Sequence, residues 1–274
     1  MTKVSIIGLG WIGLPLAYVL QEKGYEVVGS TTTAEKQAKL KEQNINAIQF
    51  SLAPFPQGKG FQELFTSEVL VINIPPRSRT TDGQVYLEQL KFLRSMVDQS
   101  SIKKVIFVSS TGIYPEQNRA EAYTEIEEIV SENTGNITLL KGENTFKGLN
   151  NLTIVRFGGL LGDDRIPGKY VAGKENVNGN TRVNFIYRND AARMLAWIIE
   201  KELWNETYNG VAPTHALRKD IYERNVQDLG LEGPKSYQNA ALGNDRLVSG
   251  HKILETGFEF DFPNPLDFPY FKIT

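Results

Sequence analysis

Cysteine is absent from the 274 residues, and histidine occurs only as His215 and His251. A disulfide scaffold, a thiolate metal site and a thiol nucleophile are excluded by the first absence. The two histidines are too far apart and in too polar a setting to suggest a histidine-built metal centre, so no metal is expected. An excess of either charge is missing as well: 30 basic and 32 acidic residues leave a formal charge of −2. Nothing therefore points to a nucleic-acid surface. No apolar run approaches the roughly 18 residues of a membrane span, and even Trp11 to Leu20 is interrupted by Gly13 and Pro15. The amino terminus has one lysine and then runs straight into an apolar stretch, without the layout of a secretory signal. The expectation is a cytoplasmic protein that engages neither nucleic acid nor membrane. With 41% hydrophobic and 23% charged residues, the chain is of ordinary globular composition and long enough for a nucleotide domain with a smaller appendage.

What is present begins at the amino end. Val4, Ile6 and Ile7 form a short apolar strand pattern that runs into Gly8-Leu9-Gly10-Trp11-Ile12-Gly13. In that spacing the first glycine permits a tight turn, the second lets backbone approach a pyrophosphate, and the third lets the next helix pack closely on the strand. Leu14, Leu16, Ala17, Val19 and Leu20 then recur at helical spacing, with Pro15 in the first turn, where a missing N–H removes no helical bond. Gly24 terminates that helix and Glu26 to Ser30 reads as a second strand, completing one βαβ unit. A helix N-terminus facing phosphates makes a dinucleotide the expected ligand.

Further along, Thr33 to Gln43 reads as a helix, Asn46 to Phe50 as a strand, and Glu68 to Ile74 as a buried strand stopped by Pro75 and Pro76. Val85 to Gln99 has helical spacing, Lys103 to Ser109 is the next buried strand, Thr138 to Lys147 another helix and Leu152 to Arg156 another strand. This alternation predicts an α/β fold, a Rossmann-type doubly wound parallel sheet of about six strands. The NAD(P)-binding domain is assigned to residues 1–157 and a smaller substrate-binding region, partly folded back onto it, to residues 158–274, where Asp190 to Lys201 and Lys219 to Leu229 read as helices.

These segments resemble the NAD(P)-dependent epimerase/dehydratase family, the extended and atypical short-chain dehydrogenases/reductases, over nearly the whole chain. The likeness rests on Gly8 to Gly13, on Val105 to Pro115 with its Ser109-Ser110-Thr111 and Tyr114, on Ile154 to Gly162, on Asn184 to Asp190, and on Tyr208-Asn209. The glycine motif is the shorter Rossmann form, which places the resemblance with an atypical branch. The resemblance implies a hydroxyl at Thr111 that holds the substrate, and a tyrosine acid/base with lysine four residues on, since a phenol needs a nearby cation to work near neutrality. Between Tyr114 and Arg156 no tyrosine has that lysine; Tyr123 is followed by Glu127. The only Tyr-x-x-x-Lys is Tyr170 to Lys174, interrupted by Gly173, so Thr111, Tyr170 and Lys174 are the candidate catalytic set.

The end of the second strand carries Ser30-Thr31-Thr32-Thr33 and no carboxylate between Val27 and Ala34. An acidic side chain there would hold the ribose of NAD and repel a 2′-phosphate. Its absence, with Lys36 close by, favours NADP over NAD, while Thr32 and Glu35 also read as a capping box. The candidate cofactor set is Gly8, Gly10, Trp11, Ile12, Gly13, Thr31, Thr32, Lys36, Ile74, Pro75 and Ser109. Arg156, Arg165 and Arg182, accompanied by Lys169 and Lys174, are candidates for an anionic small-molecule substrate such as a nucleotide sugar. Asp163 and Asp164 could neutralise Arg165, and Asp190 reads as a helix cap. Two alternatives stay open. The missing tyrosine-lysine pair suits a catalytically silent NADP(H) sensor, and the glycine motif also resembles that of 3-hydroxyacid-type dehydrogenases. A homodimer is compatible with all three readings.

Overall fold

A computed structural model of the chain describes residues 1–53, 55–76, 83–239 and 245–271. The amino-terminal strands and helices are β1 (Lys3–Ile7), α1 (Gly13–Glu22), β2 (Glu26–Thr31), α2 (Ala34–Glu42) and β3 (Asn46–Gln49). A short antiparallel pair follows, β4 (Ser51–Leu52) with β5 (Pro56–Gln57). Then come β6 (Val69–Ile72), α3 (Gly83–Asp98), β7 (Lys104–Ser110), α4 (Ile137–Phe146) and β8 (Leu152–Phe157). The chain continues through β9 (Gly159–Leu161), β10 (Phe185–Tyr187), α5 (Arg188–Glu200), β11 (Thr207–Gly210), α6 (Arg218–Leu229) and α7 (His251–Leu254).

The main sheet has seven parallel strands in the order β11-β8-β7-β6-β1-β2-β3. The doubly wound α/β expectation is met, and the seventh strand, β11, contains the Tyr208-Asn209 pair that the family resemblance marks as a late strand, beyond the six that the alternation alone supplies. Chain order reverses beside β1, whose register runs Val4 to Val27 on one side and Val4 to Val69 on the other. In such sheets a ligand binds outside the carboxyl ends of the strands at the reversal. All four residues of β6 are buried, as a strand covered on both faces requires. One apolar cluster lies against the α3 and α4 side, where Leu70, Ile72, Val105 and Phe107 meet Leu87, Leu90, Leu93 and Phe146.

The chain divides into two compact units. The first comprises Met1–Ile113, Ile129–Arg156 and Ala192–Thr207; the second comprises Tyr114–Glu128, Phe157–Ala191 and Tyr208–Thr274. Within the second, β9 and β10 pair in parallel from Gly159 opposite Phe185. Gly158 is required there, since a Cβ would stand 2.3 Å from the Asn184 carbonyl oxygen. Asp190 proves not to be the cap of α5. It lies inside the first turn, fully buried, and its carboxylate accepts hydrogen bonds from the Asp261 and Phe262 amides at 2.9 and 3.0 Å. Among the described residues no helix is long and apolar enough to cross a membrane.

Candidate functional site

The glycine turn joins β1 to α1 as its spacing predicts, and each glycine answers to a different neighbour. Gly8 has φ +108°, a region that costs side chains dearly, and a Cβ on it would lie 2.5 Å from the Asn73 carbonyl oxygen. At Gly13 a Cβ would meet the Gly8 carbonyl oxygen at 2.1 Å. Gly10 differs, because a Cβ there would touch nothing within 4 Å. The internal packing of the turn thus explains Gly8 and Gly13, while the space above Gly10 is open among the described residues. No side chain caps the N-terminus of α1, and its first turn holds no acidic residue, so no carboxylate there would repel an anion; within that turn Leu14 N–H donates to the Gly10 carbonyl and Leu16 N–H to the Ile12 carbonyl, both at 3.1 Å.

Three long-range contacts fasten the turn. Gly8 N–H donates to Ser30 Oγ at 2.9 Å, Leu9 N–H to the Ser30 carbonyl at 2.7 Å, and Asn73 Nδ2 to the Gly8 carbonyl at 3.3 Å. Leu9 packs over β2 so closely that a Cβ on Gly29 would fall 2.5 Å from its side chain. The sequence names Ser30 only as one of the hydroxyls ending the second strand; its hold on Gly8, like the roles of Asn73 and Gly29, depends on partners tens of residues away. Lys36 also arrives here, its Nζ donating to the Leu9 carbonyl at 2.7 Å. Thr31 is buried and Thr32 exposed at the end of β2. The capping residue of α2 is Thr33, whose hydroxyl accepts from Lys36 N–H at 3.3 Å, one position later than the Thr32 and Glu35 box. In a run of consecutive threonines the sequence alone does not fix the register. Trp11 is half-buried, Ile12 buried, Ile74 half-buried and Pro75 exposed.

At the carboxyl end of β7 the side chains alternate. Ser110 Oγ accepts from Gly112 N–H at 3.2 Å, whereas Ser109 Oγ donates to Glu143 Oε1 at 2.7 Å. Glu143, on the buried face of α4, also receives Arg156 Nε at 3.0 Å on Oε1 and Arg156 Nη2 at 2.8 Å on Oε2. Arg156, foreseen as a substrate contact, is thus buried in a bidentate ion pair, and Glu143 is a residue the sequence reading passed over. Burial, reinforced by the charge of Glu143, raises the pKa of the adjacent Tyr86 phenol. Thr111 is buried in the short helical turn Thr111–Ile113 after β7.

Asn136 caps α4, its Oδ1 accepting from Thr138 and Leu139 N–H, and the helix carries no tyrosine. Tyr123 belongs to the second unit, where it is buried, donates its hydroxyl to the Gln117 carbonyl at 3.2 Å and carries the Arg119 guanidinium 3.7 Å above its ring. Tyr170 closes the turn Pro167–Tyr170 and is 63% exposed. Lys174 follows Gly173, which has φ +67°, so these two do not share a helix face.

In the second unit Arg182 faces Asp245 at 3.5 Å. Burial pulls the Arg165 guanidinium below its ordinary value, against the opposing charge of Asp164. Asp163 does not serve Arg165; it accepts from Arg188 Nη1 at 2.5 Å and from the Tyr187 hydroxyl at 3.1 Å. Burial and that carboxylate together raise the Tyr187 phenol.

Comparison with known proteins agrees with this geometry. The model of the NAD binding domain of 6-phosphogluconate dehydrogenase matches residues 3–129. Protein YeeZ of Escherichia coli K12 is 30% identical over 274 residues, covering 98% of this chain and 99% of YeeZ. Among solved structures, the human epimerase family protein SDR39U1 with NADPH superposes with a TM-score of 0.71 at 18% identity, covering 96% of each chain. A mutant of the UDP-glucuronic acid 4-epimerase of Bacillus cereus, solved with UDP-4-deoxy-4-fluoro-glucuronic acid and NAD, superposes with a TM-score of 0.75 at 17% identity, covering 97% of this chain and 96% of that one. The two structures share the fold, the YeeZ likeness spans the whole chain, and the amino-terminal half is a dinucleotide-binding Rossmann-type domain. The resemblance seen in the sequence is borne out: the chain belongs to the family of YeeZ, an NAD(P)-binding branch with the fold of the epimerase/dehydratases and short-chain dehydrogenases.

Proposed function

We propose that the chain is an NADP-preferring, epimerase/dehydratase-like oxidoreductase acting on a nucleotide-sugar-like or other small polar substrate, with residues 158–274 supplying most of the substrate side. The observation that carries the coenzyme part is the open space over Gly10 at the uncapped start of α1, where a diphosphate would meet backbone amides. NADP is preferred because the end of β2 offers hydroxyls and Lys36 where an NAD enzyme would place a carboxylate. When bound, the coenzyme would supply or accept a hydride. Around it Gly8, Gly10, Trp11, Ile12 and Gly13 bind the diphosphate, Thr31, Thr32 and Lys36 the adenosine phosphate, and Ile74, Pro75 and Ser109 line the nicotinamide half.

For the substrate, Thr111 is assigned to holding a hydroxyl or carbonyl, and Arg165 and Arg182 to an anionic group. Arg156 has a smaller claim to this role, since its guanidinium is engaged with Glu143. Tyr170 and Lys174 remain the only pair of the required residue types, and Tyr170 is exposed. Calorimetric titration with NADP and NAD, followed by a screen for nicotinamide absorbance change with sugar nucleotides, tests the reading. Micromolar NADP binding and turnover that Tyr170→Phe abolishes would support it; failure of both dinucleotides to bind would end it.

A second reading has its own support. Because α4 bears no tyrosine, a silent NADP(H) sensor fits equally well with the coenzyme half of the proposal. Tight binding without turnover of any sugar nucleotide would favour it.

A further inference from the structure

A dinucleotide whose diphosphate lies at the end of β1, with its adenosine towards β2, must send its other half towards β6 and β7, because those strands continue the sheet on the opposite side. Adjacent strands are about 4.8 Å apart, so β7 lies roughly 10 Å from β1, within reach of a nicotinamide riboside. The last residue of β7 on the α4 side is Ser109, and it stands at the head of a buried chain: Ser109 Oγ to Glu143 Oε1 at 2.7 Å, and Arg156 gripping both Glu143 oxygens at 3.0 and 2.8 Å. Glu143 is 2% exposed and Arg156 7%. Burying such a pair is costly and rarely a net gain in stability over apolar packing, so a specifying role deserves to be sought.

We infer that the Glu143–Arg156 pair fixes the direction of the Ser109 hydroxyl, presenting its lone pairs as an acceptor for the carboxamide N–H of nicotinamide. A serine hydroxyl has one proton and two acceptor sites. Here the proton is committed to a carboxylate that the guanidinium holds in place, so Ser109 is left with acceptor capacity only. The nicotinamide ring carries a single N–H donor group, its carboxamide. Glu143 and Arg156 act through Ser109 and are positioning residues, while Ser109 itself touches the coenzyme. The inference rests on the coenzyme reading above.

The test is the ratio of affinities for NADP and for its 3-acetylpyridine analogue, in which a methyl group replaces the carboxamide NH2, measured by calorimetry on the full chain. Wild type is expected to prefer NADP by about tenfold, the usual worth of one such hydrogen bond. Ser109→Ala, which leaves the ion pair whole, should bring the ratio close to one without moving the melting temperature by more than a few degrees. Glu143→Gln, whose amide can donate to Ser109 and release its proton, should lower the ratio too, and in the Ser109→Ala background it should change the ratio no further. A Ser109→Ala protein that binds NADP and keeps the wild-type ratio overturns the inference and leaves the coenzyme reading standing. A wild type that binds neither dinucleotide removes both.

Discussion

A methyl group is a fine probe of the turn between β1 and α1, because the three glycines of the motif would meet it so differently. At Gly13 it would run into the Gly8 carbonyl at 2.1 Å, so Gly13→Ala is expected to cost about 2–3 kcal/mol in denaturant unfolding, as overpacking against backbone does. At Gly10 there is room, so Gly10→Val should melt within a few degrees of wild type and yet bind NADP at least tenfold more weakly. An affinity left unchanged in Gly10→Val would show that no diphosphate lies there. Lys36 offers a second residue-scale prediction. Its Nζ already donates to the Leu9 carbonyl, which holds it beside the turn. Lys36→Ala should weaken NADP about tenfold through loss of a charge-assisted bond and NAD by less than about threefold; equal losses for the two would refute a 2′-phosphate role. The glycines and the missing acid after β2 were legible because each is a local demand of backbone or charge. Ser30 and Asn73 were not, since their hydrogen bonds to Gly8 span 22 and 65 residues. For the same reason Glu143 went unnoticed and Arg156 was read as free to meet a substrate.

Elements were legible where periodicity ran long. The 16-residue α3 turns Leu87, Leu90, Leu93 and Val97 inward, and its pattern alone placed it within two residues. Strand β11 is announced by the Tyr208-Asn209 resemblance and not by periodicity, and the cap of α2 falls on Thr33 by backbone geometry that a run of threonines does not encode. Ends of elements are also where electrostatics pins the first unit. Lys104, opening β7, bonds Glu68 at 3.0 Å and Glu202 at 2.6 Å. The Lys104 hydrogen bond holds the Glu202 carboxyl below its ordinary value, outweighing burial, and the Trp204 N–H adds to it. A depressed carboxyl stabilises the fold above its unfolded pKa, and the contribution disappears as pH falls through the lower folded value. Glu202→Gln should therefore be less stable than wild type at pH 7, and the two unfolding curves should converge below about pH 4. Glu202 is 59% exposed, so after solvent screening the difference at pH 7 is expected to be only about 0.5 kcal/mol. A gap that widened on acidification would contradict the assignment.

For the whole molecule, fold and coenzyme class could be read from order of motifs, whereas substrate chemistry could not, because Tyr170, Lys174, Arg165 and Arg182 lie in the irregular stretch after β8 whose path no local rule dictates. Linkage supplies a measurement that does not depend on knowing the reaction. A ligand that binds only the native state adds RT ln(1 + [L]/Kd), about 2.7 kcal/mol at a hundredfold excess over Kd. For a chain of 274 residues each kcal/mol moves the melting temperature by roughly 2 °C, so saturating NADP should raise it by about 5 °C. NAD at the same concentration should give a smaller rise, and Gly10→Val should give almost none with either. A sugar nucleotide added to the NADP complex then separates the two functional readings. An enzyme that holds coenzyme and substrate together should gain a second increment that Arg182→Ala reduces. A sensor should gain nothing from the sugar nucleotide, and its melting temperature should instead differ between NADP and NADPH, because only a difference in affinity for the two redox states can carry a signal.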